Sequence, residues 1–125
     1  MNFTLAQKFI LKKMKDELPG HLFYHGLHHT RDVFSATVKI AREESITSET
    51  ELNLLKTASL FHDSGFTVDY TNHEEMGCEL ARKTLPEFDY SKEEIDLICG
   101  MIMATKIPQN PKTKLEEIIC DADLD

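Results

Sequence analysis

Helix-start signals recur along this chain and constrain its fold more than any other feature. Four segments have the capping-box form, in which a Ser or Thr is followed three residues later by Glu or Gln. They begin at Thr4, Ser48, Ser91 and Thr113, and each precedes an apolar run with helical spacing. Asn72, which precedes "HEEMGCELA", is a further candidate N-cap. A chain with this many helix starts is expected to be all-α.

The apolar periodicity predicts about six helices in a single bundle. They should cover roughly residues 5–18, 27–44, 49–62, 73–84, 92–104 and a last segment from near residue 114. In the first of them, Leu5, Phe9 and Met14 form the candidate core-facing side. No segment alternates apolar and polar residues as a half-buried strand does. The predicted fold class is therefore an all-α, single-domain helical bundle.

The length of 125 residues fits one domain, residues 1–125, with a sizeable core. The sequence ends at Asp125 inside a run that is still apolar-periodic and has no C-cap signal. We therefore expect this domain to be truncated at its C-terminus. The amphipathic helices give no oligomer signal of their own and are compatible with a homodimer.

The net charge, the hydropathy pattern and the cysteines indicate which classes of protein this chain does not belong to. The formal net charge is -8 and no basic run is longer than Lys12-Lys13, so binding to nucleic acid is not expected. No apolar stretch approaches the roughly 18 residues of a membrane span, and the N-terminus does not look like a signal peptide. Three cysteines without a spacing pattern are interpreted as reduced thiols. These features predict a cytoplasmic protein that does not bind membranes.

The pair His62-Asp63 ends the third predicted helix, in "LLKTASLFHDSGF". An aspartate at the negative end of a helix dipole is electrostatically misplaced unless a cation compensates it. Imidazole and carboxylate together are ligands of divalent or ferrous metal sites that activate water. The pair therefore favours a metal-dependent hydrolase. The alternative is that Asp63 caps the following turn together with Ser64 and Gly65.

Three more histidines lie upstream in "YHGLHHTRDV", at the start of the second predicted helix. His25 and His29 are four residues apart and share one helix face, whereas His28 points elsewhere. Asp32 is a candidate carboxylate to orient the His29 ring. The alternative is that these histidines are ordinary surface or core residues. Three histidines within five residues, together with a separate His-Asp pair, favour a site.

The chain closes on "CDADLD", which places three carboxylates in an apolar helix. Asp121 and Asp125 share one face of that helix, and Asp123 lies on roughly the opposite side. At least one of these acids must belong to a solvated face. Because Asp123 is flanked by Ala122 and Leu124, it is the candidate to point inward.

Together these residues resemble the pattern of the HD superfamily of metal-dependent phosphohydrolases. That pattern is a histidine, a His-Asp dyad and a distant aspartate, all on helices of one bundle. The resemblance covers nearly the whole chain and implies an HD-type fold. It also implies a metal site with four protein ligands, namely His29, His62, Asp63 and Asp123.

Other parts of the chain match the family locally or depart from it. The segment from Tyr24 to Val33 looks like the signature of the cyclic-nucleotide phosphodiesterase branch, which would make His25 the general acid. His73, in "NHEEMG", matches a histidine that binds a second metal, with Asp63 as the bridging ligand. A further histidine expected near the end of the fifth helix is replaced within "MAT", residues 103–105. Phe66 stands where some mononuclear members carry an acid/base glutamate.

The resemblance implies a phosphohydrolase that cleaves a phosphomono- or phosphodiester of a small, nucleotide-like substrate with metal-activated water. It implies one or two divalent ions (Mn, Fe, Zn, Mg or Ni) and catalytic roles for His25 and Asp63. Arg31 and Lys106 are candidate phosphate contacts, the alternative being that both are solvated surface residues. Two other classes stay open. One is a non-catalytic HD module that binds metal or a nucleotide for regulation, and the other is a plain helical interaction domain.

Overall fold

The structure, a computed structural model, describes residues 1–18, 26–69 and 71–124. Within these residues it contains six α-helices and no strand, so the predicted all-α fold is confirmed. The helices are α1 (Phe3–Glu17), α2 (Leu27–Glu43), α3 (Glu49–Phe61), α4 (His73–Thr84), α5 (Lys92–Ala104) and α6 (Lys114–Leu124). Short 3-10 turns lie after α3, at Ser64–Thr67, and after α4, at Leu85–Phe88. In the part of the chain that is described, no helix is both long and apolar enough to cross a membrane.

Polar side chains cap the N-termini of several helices, as the sequence predicts. Ser91 forms a complete capping box at the start of α5. Ser48 and Thr113 each accept a hydrogen bond from the backbone N–H three residues further on, at the starts of α3 and α6. Asn72 occupies the N-cap position of α4 but makes no side-chain capping bond. These caps explain why the helix bounds could be placed from the sequence.

Helix α1 departs from the prediction in its cap and in its buried face. Its N-cap is Asn2, whose side chain accepts from the backbone N–H of Leu5, so Thr4 is not the cap. Leu5 is 45% exposed, and its predicted place in the core is wrong. The buried residues of α1 are spaced by four: Ala6, Ile10 and Met14.

Helix α3 is the centre of the bundle. It packs against α1, α2, α5 and α6, and residues 57–61 at its C-terminal end are buried in succession. The two hydroxyl groups in this stretch are satisfied within the helix, because Thr57 donates to the Asn53 carbonyl and Ser59 donates to the Lys56 carbonyl. As a result α3 ends inside the protein, and the residues that follow it begin in the interior.

Gly65 lies where the turn after α3 passes close to the start of α4. A Cβ atom at Gly65 would be 1.8 Å from the backbone carbonyl oxygen of His73. Only a shift of backbone could relieve that clash. We therefore expect Gly65→Ala to lower the free energy of unfolding by about 3 kcal/mol or more, the upper end of overpacking costs. Urea denaturation followed by circular dichroism measures this change.

Gly100→Ala, in α5, is the matched control. A Cβ atom there would meet only the flexible end of the Glu116 side chain, at 3.2 Å. Since alanine is favoured over glycine in a helix by about 1 kcal/mol, this variant should be neutral or more stable. Equal stabilities of the Gly65→Ala and wild-type proteins would show that the close approach of turn and helix does not constrain the fold.

Candidate metal centre

The His62 side chain is buried at the end of α3, and a hydrogen bond fixes the orientation of its ring. His62 is 1% exposed, and its Nδ1 lies 2.7 Å from the backbone carbonyl oxygen of Ser59. Because a carbonyl oxygen only accepts, Nδ1 must carry a hydrogen. In the neutral ring the lone pair is then on Nε2. This is the tautomer that an imidazole needs in order to bind a metal through Nε2.

Three other side chains meet at this nitrogen. Asp63 is the second residue after the end of α3, His29 comes from the first turn of α2, and Asp123 comes from the last turn of α6. His62 Nε2 is 3.4 Å from Asp63 Oδ2 and 3.2 Å from Asp123 Oδ1. His29 Nε2 is 3.7 Å and 3.4 Å from the same two oxygens. The fold therefore brings together His29 and Asp123, which are 94 residues apart in the chain.

The spacing of these groups fits a cation between them. Ligand atoms about 2.1 Å from an ion stand about 3.0 Å apart at neighbouring octahedral corners and about 3.4 Å apart in a tetrahedron. The four nitrogen–oxygen distances lie near these values, and His29, His62 and Asp123 each offer an atom within 4.8 Å of the others. His62 Nε2 is also buried without a hydrogen bond of acceptable geometry. A buried polar atom normally has a partner, and a metal ion would be one.

The charges at the site favour a positive group at His62. Burial alone lowers the pKa of His62, but the negative charges of Asp63 and Asp123 outweigh it and hold this pKa well above its usual value. Burial alone raises the pKa of Asp123, but its contacts with His29 and His62 outweigh that effect and lower the pKa to about 2. The raised pKa favours a proton on His62 when no metal ion is bound. A cation must displace that proton, so its affinity should fall as the pH decreases.

His73 begins α4 beside the second oxygen of Asp63. Its Nε2 is 3.6 Å from Asp63 Oδ1 and 2.8 Å from Glu74 Oε2. The Phe66 ring stacks on the His73 ring, with centroids 3.9 Å apart. These contacts place His73 next to the cluster, and its binding of a second metal stays a prediction.

Glu74 is a site residue that the sequence interpretation missed. It is 6% exposed, although a glutamate in the first turn of a helix is normally a solvated complement to the helix dipole. The signal that could have found it is its position next to His73, because a carboxylate beside a candidate ligand histidine can orient that ring.

A pocket of about 390 Å³ opens beside the cluster. Lys106 lines it and forms an ion pair with Glu75 of α4. Arg31 is exposed on α2 and is not among the described residues that line the pocket. Of the two predicted phosphate contacts, only Lys106 therefore borders this pocket. The other lining residues include Asp63, Asp123, Phe66, His73, Thr71 and Thr105.

The remaining histidines of "YHGLHHTRDV" take different positions. The His28 side chain is 89% exposed, as expected for a residue that points away from the site, and its Nε2 is 3.4 Å from Asp32 Oδ2. Since Asp32 pairs with His28, the prediction that it orients His29 is wrong. His25 lies outside the described residues, and its role as general acid stays a prediction.

The two described acidic residues of "CDADLD" separate as the sequence suggests, and Asp125 lies outside the described residues. Asp121 is exposed, whereas the Asp123 side chain is 19% exposed and faces the two histidines. Asp63 precedes the Ser64–Thr67 turn but makes no side-chain capping bond to it. Its carboxylate points to the histidines instead, so the alternative role as a turn cap is not what the structure shows.

The chain is an all-α bundle in which imidazoles and carboxylates from different helices converge. This arrangement is typical of helical domains that bind a metal ion. The family model of the HD domain matches residues 26–124, and the chain belongs to this family. It is therefore a member of the HD superfamily of metal-dependent phosphohydrolases, which its sequence pattern resembles.

The relatives add little about activity. A protein of Clostridium beijerinckii, described only as uncharacterized, is 29% identical over 101 residues. The aligned part covers 78% of this chain and 63% of the relative, so the chain spans less than two thirds of that protein's length. No solved structure gives a significant match.

Proposed function

We propose that this chain is a metal-dependent phosphohydrolase that cleaves a phosphomono- or phosphodiester of a small, nucleotide-like substrate. The observation that supports this proposal most is that the ligand cluster is buried on one side and borders the pocket on the other. His62 lies in the interior, whereas Asp63 and Asp123 of the same cluster line the pocket wall. A metal site closed on one side and open on the other is typical of catalytic rather than structural metal sites.

The residues present have distinct roles in this proposal. His29, His62, Asp63 and Asp123 would hold the ion, which when bound lowers the pKa of water from about 15.7 toward about 7. Glu74, which lines the pocket and whose Oε2 lies 2.8 Å from His73 Nε2, would accept the proton that the attacking water loses. The predicted general acid, His25, would protonate the leaving oxygen.

The pocket supports a small substrate. Its volume of about 390 Å³ is near the lower end of the range for small-molecule sites, about 300–1,000 Å³. Phe66 offers an aromatic wall, and Lys106 offers one positive charge. A substrate phosphate would have to draw Lys106 away from Glu75, which holds it in an ion pair.

The proposal is tested with protein that is stripped of metal by a chelator and reloaded separately with Mn, Fe, Zn, Mg or Ni. With at least one ion we expect turnover of p-nitrophenyl phosphate, bis-p-nitrophenyl phosphate or a nucleotide from a mono- and diester panel. The same protein kept in chelator is the control and should be inactive. Absence of turnover with every ion and every substrate would contradict the proposal.

A non-catalytic HD module that binds metal or a nucleotide for regulation is the second candidate. Lys106 is the sole Lys or Arg among the described residues of the pocket wall, and Glu75 already neutralises it. An anionic substrate would therefore find little free positive charge from the protein, which favours a module that binds the metal ion itself. Nucleotide binding by calorimetry without turnover under any ion would support the module.

A further inference from the structure

Gln109, in the loop between α5 and α6, contacts the metal centre through Asp123. Its side-chain Nε2 lies 3.2 Å from Asp123 Oδ2. The other carboxylate oxygen, Oδ1, is the one that lies near His29 and His62. The two oxygens of Asp123 therefore have separate partners, a neutral amide on one side and the histidine pair on the other.

The orientation of the Gln109 amide follows from its surroundings. The same nitrogen is 3.5 Å from the backbone carbonyl oxygen of Thr105. A carboxylate and a carbonyl are both acceptors, so only the NH₂ end of the amide can face them. The amide rotated by half a turn would place three acceptor oxygens together. Gln109 thus donates toward both Asp123 and the end of α5.

The loop that carries Gln109 is itself tied to the end of α5. Asn110 donates its backbone N–H to the Ala104 carbonyl oxygen at 3.3 Å. Thr105 donates its hydroxyl to the Ile102 carbonyl oxygen at 2.7 Å. The last carbonyls of a helix have no partner within the helix, and here the loop supplies partners for them. Hydrogen bonds to the end of α5 therefore fix the loop that carries Gln109 while the Gln109 side chain contacts Asp123.

We propose that Gln109 is a positioning residue of the metal centre. By holding Asp123 Oδ2, it keeps Oδ1 turned toward His29 and His62, so that Asp123 presents that oxygen to a divalent cation. The rotation of a carboxylate about its last torsion is otherwise broad and weakly restricted. The inference rests on the proposed metal site but not on hydrolysis.

Gln109→Met tests this role because it keeps the length of the side chain and removes the amide donor. We expect the variant to bind Mn²⁺ about 10- to 100-fold more weakly than the wild type, the usual effect of losing a group that orients a ligand. Isothermal titration calorimetry on metal-free protein measures the Kd. The visible spectrum of the Co²⁺-loaded protein reports ligand geometry, and we expect it to change.

Asn110→Ala is the matched control, since Asn110 is the exposed neighbour of Gln109 in the same loop. It should keep the wild-type Kd for Mn²⁺ and the wild-type Co²⁺ spectrum. Gln109→Asn, whose amide is too short to reach Asp123, is a second test variant and should behave like Gln109→Met. Thermal unfolding without metal should give wild-type melting temperatures for all of these variants.

Wild-type affinity and an unchanged Co²⁺ spectrum in either Gln109 variant that folds would overturn the proposal. A wild-type protein that binds neither ion would overturn it as well, together with the proposed metal site. Weaker binding in both variants at an unchanged metal-free melting temperature supports it. Hydrolysis is assayed separately, so a wild type that binds Mn²⁺ but lacks turnover contradicts the proposed function alone.

Discussion

His62→Ala is expected to abolish tight binding of divalent cations and, with it, any rise in melting temperature on adding metal. The His62 ring is fixed by the Ser59 carbonyl at 2.7 Å, and its Nε2 faces Asp63 and Asp123. Alanine removes the most deeply buried ligand, and no other described side chain of the cluster occupies its place. His29 then remains as the one imidazole of the proposed four-ligand set.

The wild-type response sets the scale of this experiment. An ion at 100 times its Kd stabilises the folded state by about 2.7 kcal/mol. For a domain of this size that corresponds to a rise in melting temperature of about 10 °C. The quantity compared is the rise on adding metal, because metal-free His62→Ala lacks a buried positive group beside two carboxylates and is itself less stable.

His28→Ala is the matched control for the loss of a histidine. The His28 side chain is 89% exposed and lies one residue from His29 on α2. It should keep the wild-type metal stoichiometry and the full rise in melting temperature. If His62→Ala binds as much metal as the wild type, the site is wrong.

The helices and the His62-Asp63 pair of the candidate site could be predicted because their signals are local. Ser48 and Ser91 cap α3 and α5 with side chains that reach only three residues along the chain. His62-Asp63 could be recognised because an aspartate at the end of a helix dipole calls for a compensating charge. The contact of His29 with Asp123 spans 94 residues, and only the resemblance to the family implies it.

The buried face of α1 shows where periodicity fails. Apolar residues occupy two adjacent faces of "FTLAQKFILKKM", so the spacing alone does not select one. The prediction groups Leu5 with Met14, but nine residues separate them and place them on opposite sides of a helix. Met14 is buried together with Ala6 and Ile10, whereas Leu5 is exposed. A small alanine carries little apolar signal but allows the close approach of another helix.

Gln109 and Glu74 could not be predicted because their roles come from tertiary contacts. Gln109 is a polar residue in a proline-containing loop, and its partner Asp123 lies 14 residues away in α6. Glu74 has the sequence position of a solvated first-turn glutamate, yet packing around the start of α4 buries it. A glutamine in a loop or a glutamate in the first turn of a helix is as common on an ordinary surface as in a functional site.

Asp63→Asn is expected to lower the proposed phosphohydrolase activity by more than about 100-fold, above the roughly 10- to 100-fold loss caused by removing a group that only orients a ligand. Asparagine has the shape of aspartate, so the fold should be retained. It lacks the negative charge that Asp63 Oδ2 places near both His62 and His29. It also replaces one carboxylate oxygen by an NH₂ group, which cannot bind a cation. Activity of metal-loaded protein on the best substrate of the panel measures the loss.

The same variant has a readout that does not depend on activity. The charge of Asp63 is the largest of the effects that raise the pKa of His62 in the metal-free protein. A nearby negative charge stabilises the protonated ring, so removing it should lower that pKa. An NMR titration of the His62 ring protons follows this shift. Asp121→Asn, an exposed change in the same acidic segment as Asp123, should leave both the pKa and the activity unchanged. Full activity of Asp63→Asn with an unshifted His62 pKa would place the chemistry somewhere other than this cluster.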